Sequence, residues 1–170
     1  MKDPAQSSPV PAQGQNPAWS DLSWLIRYSV RGLFELVRAR LIFSRLRASD
    51  IPARNRNSRK RAEGERPIAN ADAGPVQVSL ARISYVIPRL SDRLPWRSDC
   101  LIQAIAAQNW LLSLSLDSEI QIGVEMPQDG DFGAHAWLLH KGIVITGGDI
   151  DQYEPILTES RFDKKADPEK

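Results

Sequence analysis

An α+β fold is predicted, with a central cysteine-bearing helix packed on a small antiparallel sheet and an amphipathic helix ahead of it. Three observations carry this reading. Residues 100–116 hold no charged side chain over 17 positions. They include Gln103, Gln108, Asn109, Ser113 and Ser115 and are short for a bilayer, which suits a buried helix. Residues 119–126 alternate, with Ile120, Ile122, Val124 and Met126 against Glu119, Gln121, Gly123 and Glu125, the pattern of a half-buried strand. His135 to His140 and Ile143 to Thr146 flank Lys141-Gly142, a hairpin signature.

In chain order, residues 1–18 are rich in Pro, Gln, Ser and Ala and read as a disordered tail, with too little apolar surface to repay ordering. They lack the apolar stretch of a secretory signal, so the expected compartment is the cytoplasm. Residues 19–49 read as an amphipathic helix. Ser20 or Asp21 can cap it, and Leu22, Leu25/Ile26, Ser29/Val30, Leu33, Leu36/Val37 and Leu41 follow helical spacing. Arg27, Arg31, Glu35 and Arg38 form the opposite stripe. Such a helix serves a membrane surface or an acidic partner, or it packs on the domain with its basic face in water. Residues 50–75 carry Arg54, Arg56, Arg59, Lys60, Arg61 and Arg66 with Pro52, Pro67 and Pro75 and no apolar period. They read as a basic flexible linker. No aromatic is interleaved for base stacking, so nucleic acid is not an expected partner.

Residues 76–160 hold the dense part of the chain. A helix is expected over 76–90, ended or kinked by Pro88. Ser98 is the expected cap of the central helix, with Cys100 in its first turn and an end near Leu114. Tyr153 to Leu157 adds a last strand, and 161–170 is a second disordered tail.

The 170 residues suit one domain plus tail and exclude a doubly wound two-domain enzyme or an eight-stranded α/β barrel. One Cys and two His exclude an intramolecular disulfide and leave little for a metal cage, so neither metal nor cofactor is expected. Residues 1–75 hold 13 Lys+Arg and 7 Asp+Glu, a net of +6; residues 76–170 hold 9 and 14, a net of −5. Halves of opposite sign suggest separate roles.

The positive end of a helix favours a thiolate, and the thiolate is the nucleophile. Cys100 is therefore the candidate nucleophile, with a later His as base and an acid to hold the imidazole. If Lys141-Gly142 is a two-residue turn, His140 pairs with Ile143 and His135 falls opposite Gly148. The next residue is Asp149. Asp151 takes its place if Gly147-Gly148 forms a bulge. His135 and His140 are five apart and point to opposite faces of the strand. They cannot share a metal there, and His140 reads as an exposed turn residue.

The string Leu94-Pro95-Trp96-Arg97-Ser98-Asp99-Cys100-Leu101, then Gln103-Ala104, Ile122-Gly123-Val124, Phe132-Gly133-Ala134-His135-Ala136-Trp137-Leu138, Gly142 and Gly147-Gly148, resembles the lasso-peptide leader peptidases. These microcin-J-type B proteins belong to the transglutaminase-like cysteine protease superfamily. The resemblance covers residues 76–157. It implies a papain/transglutaminase-like core with Cys100 as nucleophile, His135 as base and Asp149 as orienting acid. It implies removal of the leader from a ribosomally made precursor peptide through a thioester. It also implies two partners: a separate PqqD-like leader-binding protein and an ATP-dependent macrolactam cyclase. The same thioester chemistry with an amine acceptor would be a transamidase. A catalytically idle adaptor is the reading from a different class.

Overall fold

In the computed structural model, residues 22–64, 74–96, 99–125 and 133–157 are described. Both expected tails and the cap residues Ser20, Asp21 and Ser98 lie outside them. Four helices, α1 (Leu22–Phe43), α2 (Ile51–Gly64), α3 (Gly74–Ser91) and α4 (Cys100–Leu112), precede four strands. The strands are β1 (Glu119–Glu125), β2 (Ala134–His140), β3 (Ile143–Thr146) and β4 (Tyr153–Leu157). They form one antiparallel sheet in the order β3-β2-β1-β4. This is the α+β arrangement expected of the sequence. No helix among the described residues is long and apolar enough to cross a membrane.

The apolar run of α4 is central because it is apolar nearly all round. Ile102, Ala104, Ile105, Ala106, Ala107 and Leu111 are fully buried. Leu36 and Ala39 of α1, Leu80, Ile83 and Ile87 of α3, and Ile120, Leu138 and Ile145 of the sheet close on it in one core. Pro88 does not end α3, which runs on to Ser91. It falls in the last turn of the helix.

Two sequence expectations are corrected here. The linker expected over 50–75 is instead helical from Ile51 to Gly64, and Ile51, Pro52, Asn55, Ser58 and Ala62 of that helix are buried. Its inward face carries small and polar groups instead of an apolar stripe, so hydrophobic periodicity does not reveal it. Asn55 supplies the attachment. Its Nδ2 donates to the Ile120 carbonyl at 2.8 Å and its Oδ1 accepts the Ile120 N–H at 3.0 Å. The side-chain amide thus pairs with β1 as a strand residue would, at a point before the β4 register begins at Ile122. Gln108 Nε2 donates to the same Oδ1 at 3.1 Å.

The second correction concerns α1. Its buried residues are Gly32, Glu35, Leu36 and Ala39, while Leu22, Ile26, Val30, Leu33, Phe34, Val37 and Leu41 are exposed. The outward surface therefore carries most of the apolar side chains, alongside exposed Arg27, Arg38 and Arg40. Small residues allow α1 to approach α3 and α4 closely. Glu35, expected on the solvated stripe, is fully buried with Arg31 Nη2 at 2.7 Å and Arg38 Nη1 at 3.8 Å.

Candidate active site

Cys100 is the first residue of α4 and is half-buried. Asp99 precedes it as the N-cap in extended backbone (φ −59°, ψ 163°) and makes no side-chain cap bond. Its carbonyl takes the Gln103 N–H at 3.1 Å, closing the first turn. The helix reaches Leu112, two residues short of the expected Leu114. The chain then reverses through Asp117 into β1, and His140 at the far end of β2 bonds the Asp117 carbonyl through Nδ1 at 2.6 Å. The reversal leaves the His135 end of β2 at the Cys100 end of α4.

The expected turn is present. Lys141 (φ 48°) and Gly142 (φ 79°) both lie in the left-handed region, the requirement of a tight two-residue hairpin loop. His140 pairs with Ile143 as expected, but a bulge between Leu138 and Leu139 sets Leu138 opposite Thr146. Continued at that offset the register sets Gly147 beside Trp137, and the His135 ring reaches diagonally to the Gly147 carbonyl, 2.7 Å from Nε2. A carbonyl only accepts, so Nε2 carries the proton and Nδ1 of the neutral ring keeps its lone pair. The Gly147 carbonyl thus occupies the ring nitrogen in this structure. Asp149 is exposed, and its Oδ1 accepts the Asp151 N–H at 3.1 Å in an Asx turn. Asp151 is exposed as well, and neither carboxylate is bonded to His135.

The ring is also held by stacking. His135 lies 4.7 Å from Tyr153 and 6.1 Å from Trp137, centroid to centroid. Trp137 donates Nε1–H to Gln121 Oε1 at 3.1 Å. These rings meet over Gly123, where a Cβ would fall 2.6 Å from Trp137 Cη2 and 2.7 Å from the Glu154 carbonyl. Leu138 belongs to the core shared with α4, so by alternation Trp137 and His135 lie on the other face of β2. Among the described residues, no hydrogen bond joins the Cys100 thiol to His135. The fold therefore places Cys100 and His135 at one end of the helix–sheet pair, on either side of β2.

His140 corrects a further expectation. It is 2% exposed, because it shares the inward face with Ala136 and Leu138 and its ring is satisfied by Asp117. Among the described residues no group of His, Cys, Asp or Glu is placed to hold a metal. Tyr153 and Gly147 are the site residues that sequence reasoning missed. Tyr153 carried only a strand assignment, and the role of Gly147 depends on where the His135 ring turns.

A cysteine at the head of a buried helix, followed by an antiparallel sheet bearing histidine, defines a thiol-centred α+β architecture. The family comparison agrees. The profile described as the Transglutaminase-like superfamily matches residues 33–158, and the chain belongs to that superfamily. The match begins within α1 and takes in α2, well before residue 76. No curated protein and no solved structure matches the chain.

Proposed function

We propose that this protein is a cysteine peptidase that removes the leader from a ribosomally made lasso-type precursor peptide. The observation that supports the reading is the contact between His135 Nε2 and the Gly147 carbonyl. With Nε2–H held by Gly147, Nδ1 is the ring nitrogen free to take a thiol proton, at the α4 end that bears Cys100. Because His135 faces away from α4 across β2, the transfer requires substrate binding to draw the two residues together at this end of the sheet. Cys100 Sγ then attacks the amide carbon after the leader, and the C–N bond breaks. His135 passes its proton to the departing amine, so the core peptide leaves with a free N-terminus and the leader remains as a thioester. Water attacks that thioester, giving the leader carboxylate and the thiol. The reading places the enzyme in the cytoplasm, with a small PqqD-like leader-binding protein presenting the precursor and a separate ATP-dependent cyclase acting on the product.

The test is mass spectrometry of precursor incubated with the chain, the leader-binding partner and added amine. Free leader carboxylate is the expected product, and a leader–amine adduct would identify a transamidase instead. Cys100→Ala should abolish both products while the fold persists. Cleavage by a folded Cys100→Ala protein would refute the cysteine mechanism. Peripheral contact with an anionic membrane is the last part of the reading. It is supported by the apolar outer face of α1 beside exposed Arg27 and Arg40. Equal binding of anionic vesicles by wild type and a Val30→Glu/Phe34→Glu variant would refute that contact.

A further inference from the structure

A recess of about 640 Å³ opens between α1, α2 and the C-terminal half of α4, lined among others by Arg38, Arg54, Arg61, Asp50, Ser58 and Asn109. It is separate from the Cys100 site. Asn109 lies nine residues further along α4, roughly 13 Å at the helical rise.

Its charges are poorly compensated. Arg54 donates Nη2–H to Asn109 Oδ1, a neutral acceptor, and its Nε is buried without a partner. Burial, with the like charge of Arg38 added, pushes the Arg54 guanidinium down to about 10. Among the described residues, neither Arg54 nor Arg61 meets a carboxylate. Arg38 lies 3.8 Å from Glu35, which Arg31 holds more closely at 2.7 Å. Asp50 is the one acid in the lining, and its Oδ2 accepts the Arg47 N–H at 2.8 Å. A buried cation without a counter-ion is costly to keep.

The neutral groups are also short of acceptors. Asn109 gives its oxygen to Arg54, so its Nδ2 points elsewhere and is buried unpaired; Ser58 Oγ is buried unpaired as well. Three guanidinium groups against one carboxylate leave the lining at +2. The guanidinium groups of Arg38, Arg54 and Arg61 in the lining suit several oxygens on one centre. Guanidinium forks fit tetrahedral oxyanions well, and the volume is that of a small-molecule pocket. We propose that this recess binds a phosphate dianion, either free or as the terminal group of a small phosphomonoester.

The experiment uses the full chain. Thermal unfolding is followed while inorganic phosphate, glycerol phosphate or chloride is added at matched ionic strength. Phosphate should raise the midpoint above the chloride control. A larger rise with glycerol phosphate would identify a carried phosphate, and an equal rise a free one. Arg54→Met should lose the phosphate-dependent rise while keeping an unliganded midpoint at or above wild type, since it removes an uncompensated charge. Arg61→Gln, at an exposed position, should weaken phosphate binding about tenfold or more with the fold intact, and it carries the test should Arg54→Met fail to fold. No rise over chloride, or the same rise in Arg61→Gln, would overturn the proposal. A marked fall of the unliganded Arg54→Met midpoint in a folded protein would also overturn it, assigning Arg54 to structural support of Asn109.

Discussion

Gly147→Ala should damage stability and activity together, and its neighbour supplies the control. Gly147 sits at φ +114°, and a Cβ there would press on Trp137 Cβ and come 3.0 Å from Trp137 Cα. The second contact is backbone, so no rotamer change relieves it. Strain at such a φ costs about 1–3 kcal/mol, and overpacking adds about 1–3 kcal/mol. A total near 4 kcal/mol lowers the unfolding midpoint by roughly 8–16 °C for a chain of this size. Gly148 has φ +67°, with nothing within 4 Å of its would-be Cβ. Gly148→Ala therefore meets only the left-handed strain, about 1–2 kcal/mol. Equilibrium urea unfolding of both variants, read by circular dichroism and tryptophan fluorescence, isolates the Trp137 contact as the difference. Cleavage by Gly147→Ala should fall further than its folded fraction, because the carbonyl that holds His135 has moved. Equal destabilisation by the two alanines would refute the packing of Gly147 on Trp137 and the carbonyl placement with it.

The remaining expectations test other joints of the structure. Asn55→Ala strands the buried Ile120 N–H and C=O and should cost about 2–4 kcal/mol in urea unfolding, whereas a linker position would cost almost nothing. Leu36→Ala, at a fully buried site, should lose about 2–5 kcal/mol. Val30→Gln on the outer face of the same helix should stay within about 0.5 kcal/mol in the same assay, and the opposite order would mean that α1 is turned over. In peptidase rate measurements, His135→Ala should lose about 100-fold or more. Asp149→Asn should stay within about tenfold, because the Gly147 carbonyl already sets the tautomer; a collapse on Asp149→Asn would return the orienting role to that carboxylate.

Period-2 alternation in 119–125 and the Lys141-Gly142 turn made β1, β2 and β3 legible, and the uncharged run from Cys100 made α4 legible. What stayed hidden shares a cause. Strand register is read by counting, and neither the extra β3 residue at the Leu138/Leu139 bulge nor the diagonal reach of the His135 ring to the Gly147 carbonyl can be counted from sequence. The α1 sequence offers apolar side chains at more positions than one buried stripe can use. The choice between faces falls to Gly32 and Ala39, which permit close packing but carry no hydrophobic signal. In α2 the docking force is an amide meeting backbone at Ile120, invisible to any scale that counts apolar residues. Of the site, the residue types Cys100 and His135 were legible, while the Tyr153 stack over Gly123 required the β1–β4 pairing.

The pairing of Asn55 with Ile120 has a consequence for how the molecule opens. A main-chain amide in a strand is normally released when its neighbouring strand peels away. The Ile120 amide is instead protected by a side chain from a helix 65 residues earlier. Its proton exchanges with solvent only when α2 lifts from the sheet or the whole domain unfolds. The Ile120 N–H is thus a single-proton reporter on α2, and its exchange rate against that of core amides in α4 measures whether the amino-terminal helices and the sheet open as one cooperative unit or as two.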